Sequence, residues 1–324
     1  MEGRVQASIG NFSREDWLKA SMIVAVSVVD AVWIIAAGYR FRWCGAGVLA
    51  CLIVALLVVA EVYRRWRPHL NFVIMTRETA WLVSFFVVAA LLSNLATTLH
   101  FPVIDPQLAA FGRWVGFDWS DWYDFVTARP ALGIIFSTVY TAALPQIVFV
   151  MLALALMNRL DRARDLVLAA MIGGLIAIAI SALLPSAGAL AYFRPSQTIA
   201  RVSTVVDLAY KQRFFDLRNG LVTTFSIRSL KGLIAFPSFH ATLSVLVVLA
   251  VRGMPRIFWP MVALNLLVLA SALVEGGHFL ADVLGGSVVG VVSLALAVAC
   301  RRQLEPAGRV APDVAGPVTA AEPA

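Results

Sequence analysis

Eight apolar runs, each close to the length of a membrane crossing, dominate this chain of 324 residues. They lie near 19–38, 45–62, 79–99, 132–157, 165–185, 238–252, 257–275 and 279–299. A bilayer core of about 30 Å needs roughly 20 apolar residues in helix, because lipid offers a backbone amide no partner outside its own segment. Hydrophobic residues make up 60% of the chain and charged residues 14%, with a mean hydropathy of +0.84. The expected architecture is therefore an all-α integral membrane protein of about eight transmembrane helices. Residues 1–18 are mixed in charge, and the run after them exceeds a signal-peptide core and lacks a clear small-residue cleavage site, so it reads as a retained span.

Basic residues orient these spans, since short cytoplasmic loops are enriched in Lys and Arg. Arg64, Arg65, Arg67 and Arg77 lie between the second and third runs, and Arg159, Arg162 and Arg164 between the fourth and fifth. Arg252 and Arg256 separate the sixth from the seventh, and Arg301 and Arg302 follow the eighth. With these on the cytoplasmic side of a bacterial inner membrane, both termini are cytoplasmic and the connections 100–131 and 186–237 face outward. Arg40 and Arg42, in the first outer loop, run against the pattern. The net charge of +7 is clustered beside apolar runs rather than along a stripe with interleaved aromatics, which indicates topology and not nucleic-acid binding. Cys44, Cys51 and Cys300 show no CxxC spacing, so neither a disulfide framework nor a zinc ribbon is expected. The aromatic and acidic segment 100–131 suits a helix lying in the interface. The tail 301–324, rich in Ala, Pro, Val and Gly, cannot build a core and reads as disordered. Three units result: N-terminal spans over 1–115, a catalytic membrane domain over 116–300, and the tail.

Among four histidines, two have chemical contexts. His69 reads as a polar loop residue and His100 as an interfacial one. His240 follows Phe236-Pro237-Ser238-Phe239, where Pro237 fits the first turn of a helix and Ser238 its cap. His278 follows Glu275-Gly276-Gly277 and precedes Asp282 by four residues, which puts His278 and Asp282 on one helical face. The derived orientation brings the starts of the sixth and eighth spans to the same outer surface. A neutral imidazole attacks phosphorus when one nitrogen is free and the other is held as a donor, which a carboxylate such as Asp282 can do. A second, protonated imidazole can supply the leaving alkoxide with a proton. The helix start at Pro237 to Phe239 offers free amides to phosphate oxygens.

These motifs resemble the type-2 phosphatidic acid phosphatase superfamily, whose second motif is similar to Pro-Ser-Gly-His and whose third has His followed four residues later by Asp. The Phe-Pro-Ser-Phe-His and Gly-Gly-His-x-x-x-Asp forms most resemble the branch that includes inositol phosphorylceramide synthases and bacterial relatives. The likeness covers about 185–299, and more loosely reaches back to Gly116-Phe-Asp-Trp119, Tyr140 and Pro145-Gln146. It implies a catalytic helix bundle in the C-terminal half, with His278 as the nucleophile that forms a phosphohistidine. It also implies Asp282 as orienter of His278, His240 as general acid, and Ser238 as a phosphate ligand, to which the helix start adds the amide of Phe239. Two family cations are missing: Ala272 stands where the third motif has Arg, and Ala187 where the first has Lys, although Arg194-Pro195 fits the end of that motif. Arg194, Arg218 and Lys231 are nominated in their place. The implied partners are a lipid phosphate and the bilayer, with neither a metal nor another cofactor. Two other readings stand beside this one: a transporter using His240, His278 and Asp282 as a proton or metal relay, and a zinc site built from the same three residues.

Overall fold

A computed structural model describes residues 12–66, 69–193, 204–205, 208–230 and 232–304. The tail expectation, Arg194 and Lys231 therefore lie outside the described residues. Thirteen helices are described. The first seven are α1 (Arg14–Ala36), α2 (Ala46–Arg65), α3 (Leu70–Thr97), α4 (Asp105–Trp114), α5 (Trp119–Thr127), α6 (Pro130–Ala142) and α7 (Pro145–Leu156). They are followed by α8 (Leu160–Leu183), α9 (Ala189–Phe193), α10 (Leu208–Arg218), α11 (Phe239–Ala250), α12 (Pro255–Glu275) and α13 (Leu280–Leu304).

The protein is an all-α integral membrane protein: α1, α2, α3, α8, α12 and α13 are each long and apolar enough to cross a bilayer. The run expected at 132–157 is a pair, α6 and α7, bent by 56°. Pro145 explains the break, because it has no N–H to donate to the preceding turn and its ring crowds that turn's carbonyl. The run expected at 238–252 is the helix α11 of only 12 residues. At 1.5 Å per residue it spans roughly 18 Å, short of the hydrocarbon core.

The basic connections gather at one end of the bundle. Arg162, at the start of α8, donates to the carbonyl of Arg252. Arg301, near the end of α13, donates to Asp165 at 2.7 Å. At the starts of α1 and α3, Arg77 pairs with Asp16 at 2.8 Å and the buried Lys19 lies between Glu78 at 2.6 Å and Glu15 at 2.7 Å. The opposite end carries the long connection before α11. There a three-residue strand β1 (Arg40–Arg42) pairs in parallel with β2 (Thr224–Ser226), Arg40 against Thr224 and Arg42 against Ser226. The two arginines that break the charge pattern thus belong to a folded layer with the long connection.

The centre is α8, whose residues Leu166 to Met171 are fully buried against α3, α11 and α13. Small residues let these helices close. A β-carbon at Gly286 of α13 would lie 2.1 Å from the carbonyl oxygen of Ser238, and one at Gly290 would lie 2.9 Å from that of Thr242. The spacing of four places both contacts on one face. The Thr242 hydroxyl donates to the Gly286 carbonyl at 2.9 Å across the gap. Because the obstacle at Gly286 is backbone, Gly286→Ala is expected to separate α11 from α13, at a cost on the order of 3 kcal/mol. Thermal unfolding in detergent checks this, with Gly133→Ala as control, since nothing lies within 4 Å of a β-carbon there.

Candidate active site

The close approach of α11 and α13 brings the two motifs into contact. Ser238 caps α11, its hydroxyl oxygen accepting from the Ala241 amide at 3.4 Å, and its own amide donates to the Asp282 carbonyl at 2.9 Å. The His278 ring is held at both nitrogens. Nδ1 lies 3.2 Å from Asp282 Oδ2, which also accepts from the Phe279 amide at 2.9 Å. Nε2 lies 3.2 Å from the Ser238 hydroxyl. An ionised carboxylate only accepts, which assigns the proton to Nδ1; Nε2 is then the acceptor and its lone pair faces Ser238. Ser238 and Asp282 are fully buried, and Asp282 Oδ1 has no partner among the described residues.

His240 is the second residue of the same helix. Its Nδ1 is 3.3 Å from the Tyr140 hydroxyl, and the two rings stack at 4.5 Å with 26° between planes. Gly276 joins the two halves: a β-carbon there would stand 2.8 Å from Tyr140 Oη and 2.7 Å from His278 Cδ2. The partner of one histidine and the ring of the other thus flank a single glycine.

A second layer fixes this arrangement. Gly277 has φ of +60°, a left-handed conformation that glycine reaches without strain, and its carbonyl accepts from the Ala189 amide at 2.7 Å. The segment that docks on it is tied to the start of α4 through Asp105, which accepts from the Ser186 hydroxyl at 2.6 Å and the Ala187 amide at 3.1 Å. Burial raises the Asp105 carboxyl above the ordinary carboxylate range, and these hydrogen bonds oppose the rise. Trp119 donates from its indole nitrogen to the Leu273 carbonyl at 2.8 Å and stacks on Phe193 at 5.4 Å. A cavity of about 100 Å³ lies beside Phe279, lined by Arg113, Phe117, Trp119 and Phe193.

The proposed phosphate ligands fare differently. The amides of Phe239 and His240, in the first turn of α11, have no intrahelical acceptor, while the Phe239 ring turns to the core and meets Phe86 edge-on at 5.7 Å. Arg218 donates to the carbonyls of Leu99 and Phe101, both at 2.7 Å, which fastens α10 to the end of α3. The missing cations have local explanations. Ala272 is fully buried in a cluster with Tyr140, Ala241, Leu273 and Val283, so a long side chain there would displace Tyr140. Ala187 is buried with its amide on Asp105. Sequence reasoning missed the role of Tyr140 as partner of His240, although the residue falls within the resemblance. It also passed over Glu275, buried at the end of α12, which accepts from the Val205 amide at 3.1 Å. Among the described residues no three His, Cys, Asp or Glu side chains are grouped as a metal site.

A family model described as PAP2 superfamily matches residues 106–296, more than half of the chain. That stretch contains Ser238, His240, His278, Asp282 and Tyr140. No curated protein and no solved structure matches the chain significantly.

Proposed function

The chain belongs to the PAP2 superfamily, and from that premise we propose that it is a phosphatase or phosphotransferase acting on lipid phosphates through a phosphohistidine on His278. Membership supports phosphatase or phosphotransferase chemistry in a membrane. The observation that carries the finer reading is the clamp on His278, with Asp282 at Nδ1 and the Ser238 hydroxyl at Nε2.

In this mechanism His278 Nε2 attacks phosphorus, and the bond to the lipid alkoxide breaks. His240, protonated, gives the alkoxide its proton. The phosphohistidine carries positive charge on its ring, and Asp282 stabilises that charge through the Nδ1 proton. Water, or a second alcohol, then attacks phosphorus, loses its proton to His240 and releases Nε2. Ser238 moves its hydroxyl from Nε2 to a phosphate oxygen, and the first-turn amides of α11, including that of Phe239, hold the others. Arg218, Arg194 and Lys231 remain nominated as outer cations around the anion. The catalytic domain is assigned to 116–300, and 1–115 carries the N-terminal spans α1 to α3, of which α3 packs on α8. The charge pattern of the connections supports an extracytoplasmic site and cytoplasmic termini, and a bacterial inner membrane is the proposed location.

This chemistry needs no metal. Phosphate release from lipid phosphates is expected to persist in excess chelator and to fall steeply with vanadate, which mimics pentacoordinate phosphorus. Chelator inhibition reversed by zinc, with indifference to vanadate, would count for the metal reading instead.

A further inference from the structure

The contact with His240 does not exhaust what Tyr140 can do. Its side chain is buried, and among the described residues its hydroxyl has a single partner, His240 Nδ1 at 3.3 Å. A phenol has one hydrogen to give and lone pairs to receive with, so one capacity is idle in each protonation state of the imidazole. When His240 is neutral with its proton on Nε2, the phenol donates to Nδ1. When His240 carries both protons, Nδ1–H donates to the phenol oxygen, and the phenol hydrogen is released from the ring.

A general acid works in the second state, because the alkoxide takes its proton from Nε2 while Nδ1 keeps its own. His240 Nε2 has no partner among the described residues and is not sealed, so the ring is anchored at one nitrogen and open at the other. The released phenol hydrogen then needs an acceptor, since a buried donor left unpaired is costly. The other ionisable groups around the pair are His278, Asp282, Glu275 and Tyr210 of α10, and none of them bonds to the Tyr140 hydroxyl. Asp282 is engaged with His278 and the Phe279 amide, and Glu275 with the Val205 amide. What does lie beside the hydroxyl is the attacking edge of His278. A β-carbon at Gly276 would stand 2.8 Å from Tyr140 Oη and 2.7 Å from His278 Cδ2, the ring atom bonded to Nε2. Packing explains how a phenol reaches this place: Ala241 and Ala272, small and fully buried, share one cluster with Tyr140.

We propose that the Tyr140 hydroxyl donates to a phosphoryl oxygen of the bound substrate while its oxygen accepts from His240 Nδ1–H. The proposal rests on the phosphoryl-transfer reading above. As the bond from phosphorus to the lipid oxygen breaks and the bond to His278 Nε2 forms, His240 Nε2 gives its proton to the alkoxide. Nδ1 and Tyr140 keep theirs. His240 is then neutral with a bare Nε2, which takes the proton of the water or alcohol that attacks phosphorus next. A phosphoryl oxygen thus selects the tautomer in which His240 works, and an empty site lets the phenol turn back to Nδ1.

Tyr140→Phe tests this in the purified full chain, because it keeps the ring that stacks on His240 and removes only the hydroxyl. The dissociation constant for orthovanadate, read by thermal stabilisation, should rise about ten-fold or more, the loss expected for a hydrogen bond to a charged group. The fall in kcat should be larger for phosphatidate, whose alkoxide needs the proton, than for p-nitrophenyl phosphate, whose phenolate leaves without it. A side chain that merely packs would slow both substrates equally and leave vanadate binding unchanged; either of those results overturns the proposal. Where Tyr140→Phe fails to fold, 3-fluorotyrosine placed at 140 keeps the hydroxyl and the shape. Its fluorine resonance should move when vanadate is added, and a resonance indifferent to bound vanadate overturns the proposal as well. The two readings fail separately. Vanadate binding weakened by Tyr140→Phe in a protein that turns over no phosphate ester would sink the phosphatase reading alone, and turnover with an unchanged vanadate constant sinks this proposal alone.

Discussion

Replacing His278 with alanine is expected to lower kcat for lipid-phosphate cleavage by at least about 10⁴-fold, because it removes the atom that forms the covalent bond. The fold should survive, since the ring is held by two contacts of 3.2 Å while the backbone around it is fixed by Gly277 and Asp282. Folding is checked by thermal unfolding and activity by phosphate release. Comparable loss in His240→Ala would be smaller, about 10²- to 10⁴-fold, the usual range for a general acid, and should shrink further for substrates with better leaving groups.

The second large effect is expected for Asp282→Asn. The side chain keeps its volume in a fully buried site, so KM should move little. Its amide can donate to Nδ1, which transfers the ring proton to Nε2 and blocks the attacking lone pair. A fall in kcat of about 10³- to 10⁴-fold is the expected result, by analogy with carboxylates that fix a catalytic tautomer. Steady-state kinetics separate the two parameters. A KM defect with kcat preserved would mean that Asp282 serves binding rather than the tautomer.

Much of this site was legible before any coordinates. Ser238 caps its helix as read, although Pro237 precedes that cap instead of entering the first turn. His278 and Asp282 meet as their spacing suggested, but not on one helical face, because His278 precedes α13 and Asp282 reaches back to it from the first turn of that helix. The meeting of the two motifs followed from counting spans. What stayed hidden depends on non-local contact. Tyr140 sits in an apolar run, where tyrosine is as easily an interfacial anchor, and only the packing of α6 against α12 brings it to His240. The pairing of Arg40 to Arg42 with Thr224 to Ser226 joins segments far apart in sequence, and three-residue strands have no readable pattern. Arg218 was nominated from charge alone, but its partners are backbone carbonyls, which sequence does not advertise. Hydropathy counted α11 as a full span because it measures apolar content and not where a cap and a turn cut the helix. The relay alternative requires ionisable groups through the membrane depth, whereas His240, His278 and Asp282 gather at one end of the bundle.

The central claim is that phosphate is carried on one ring, and it is tested most directly by trapping it. Protein incubated with a lipid bearing labelled phosphate, quenched in alkaline denaturant and fragmented for mass spectrometry should yield an acid-labile phosphate on His278 Nε2. Label on His240 instead, or sustained turnover with no phosphoprotein at any quench time, would contradict the account.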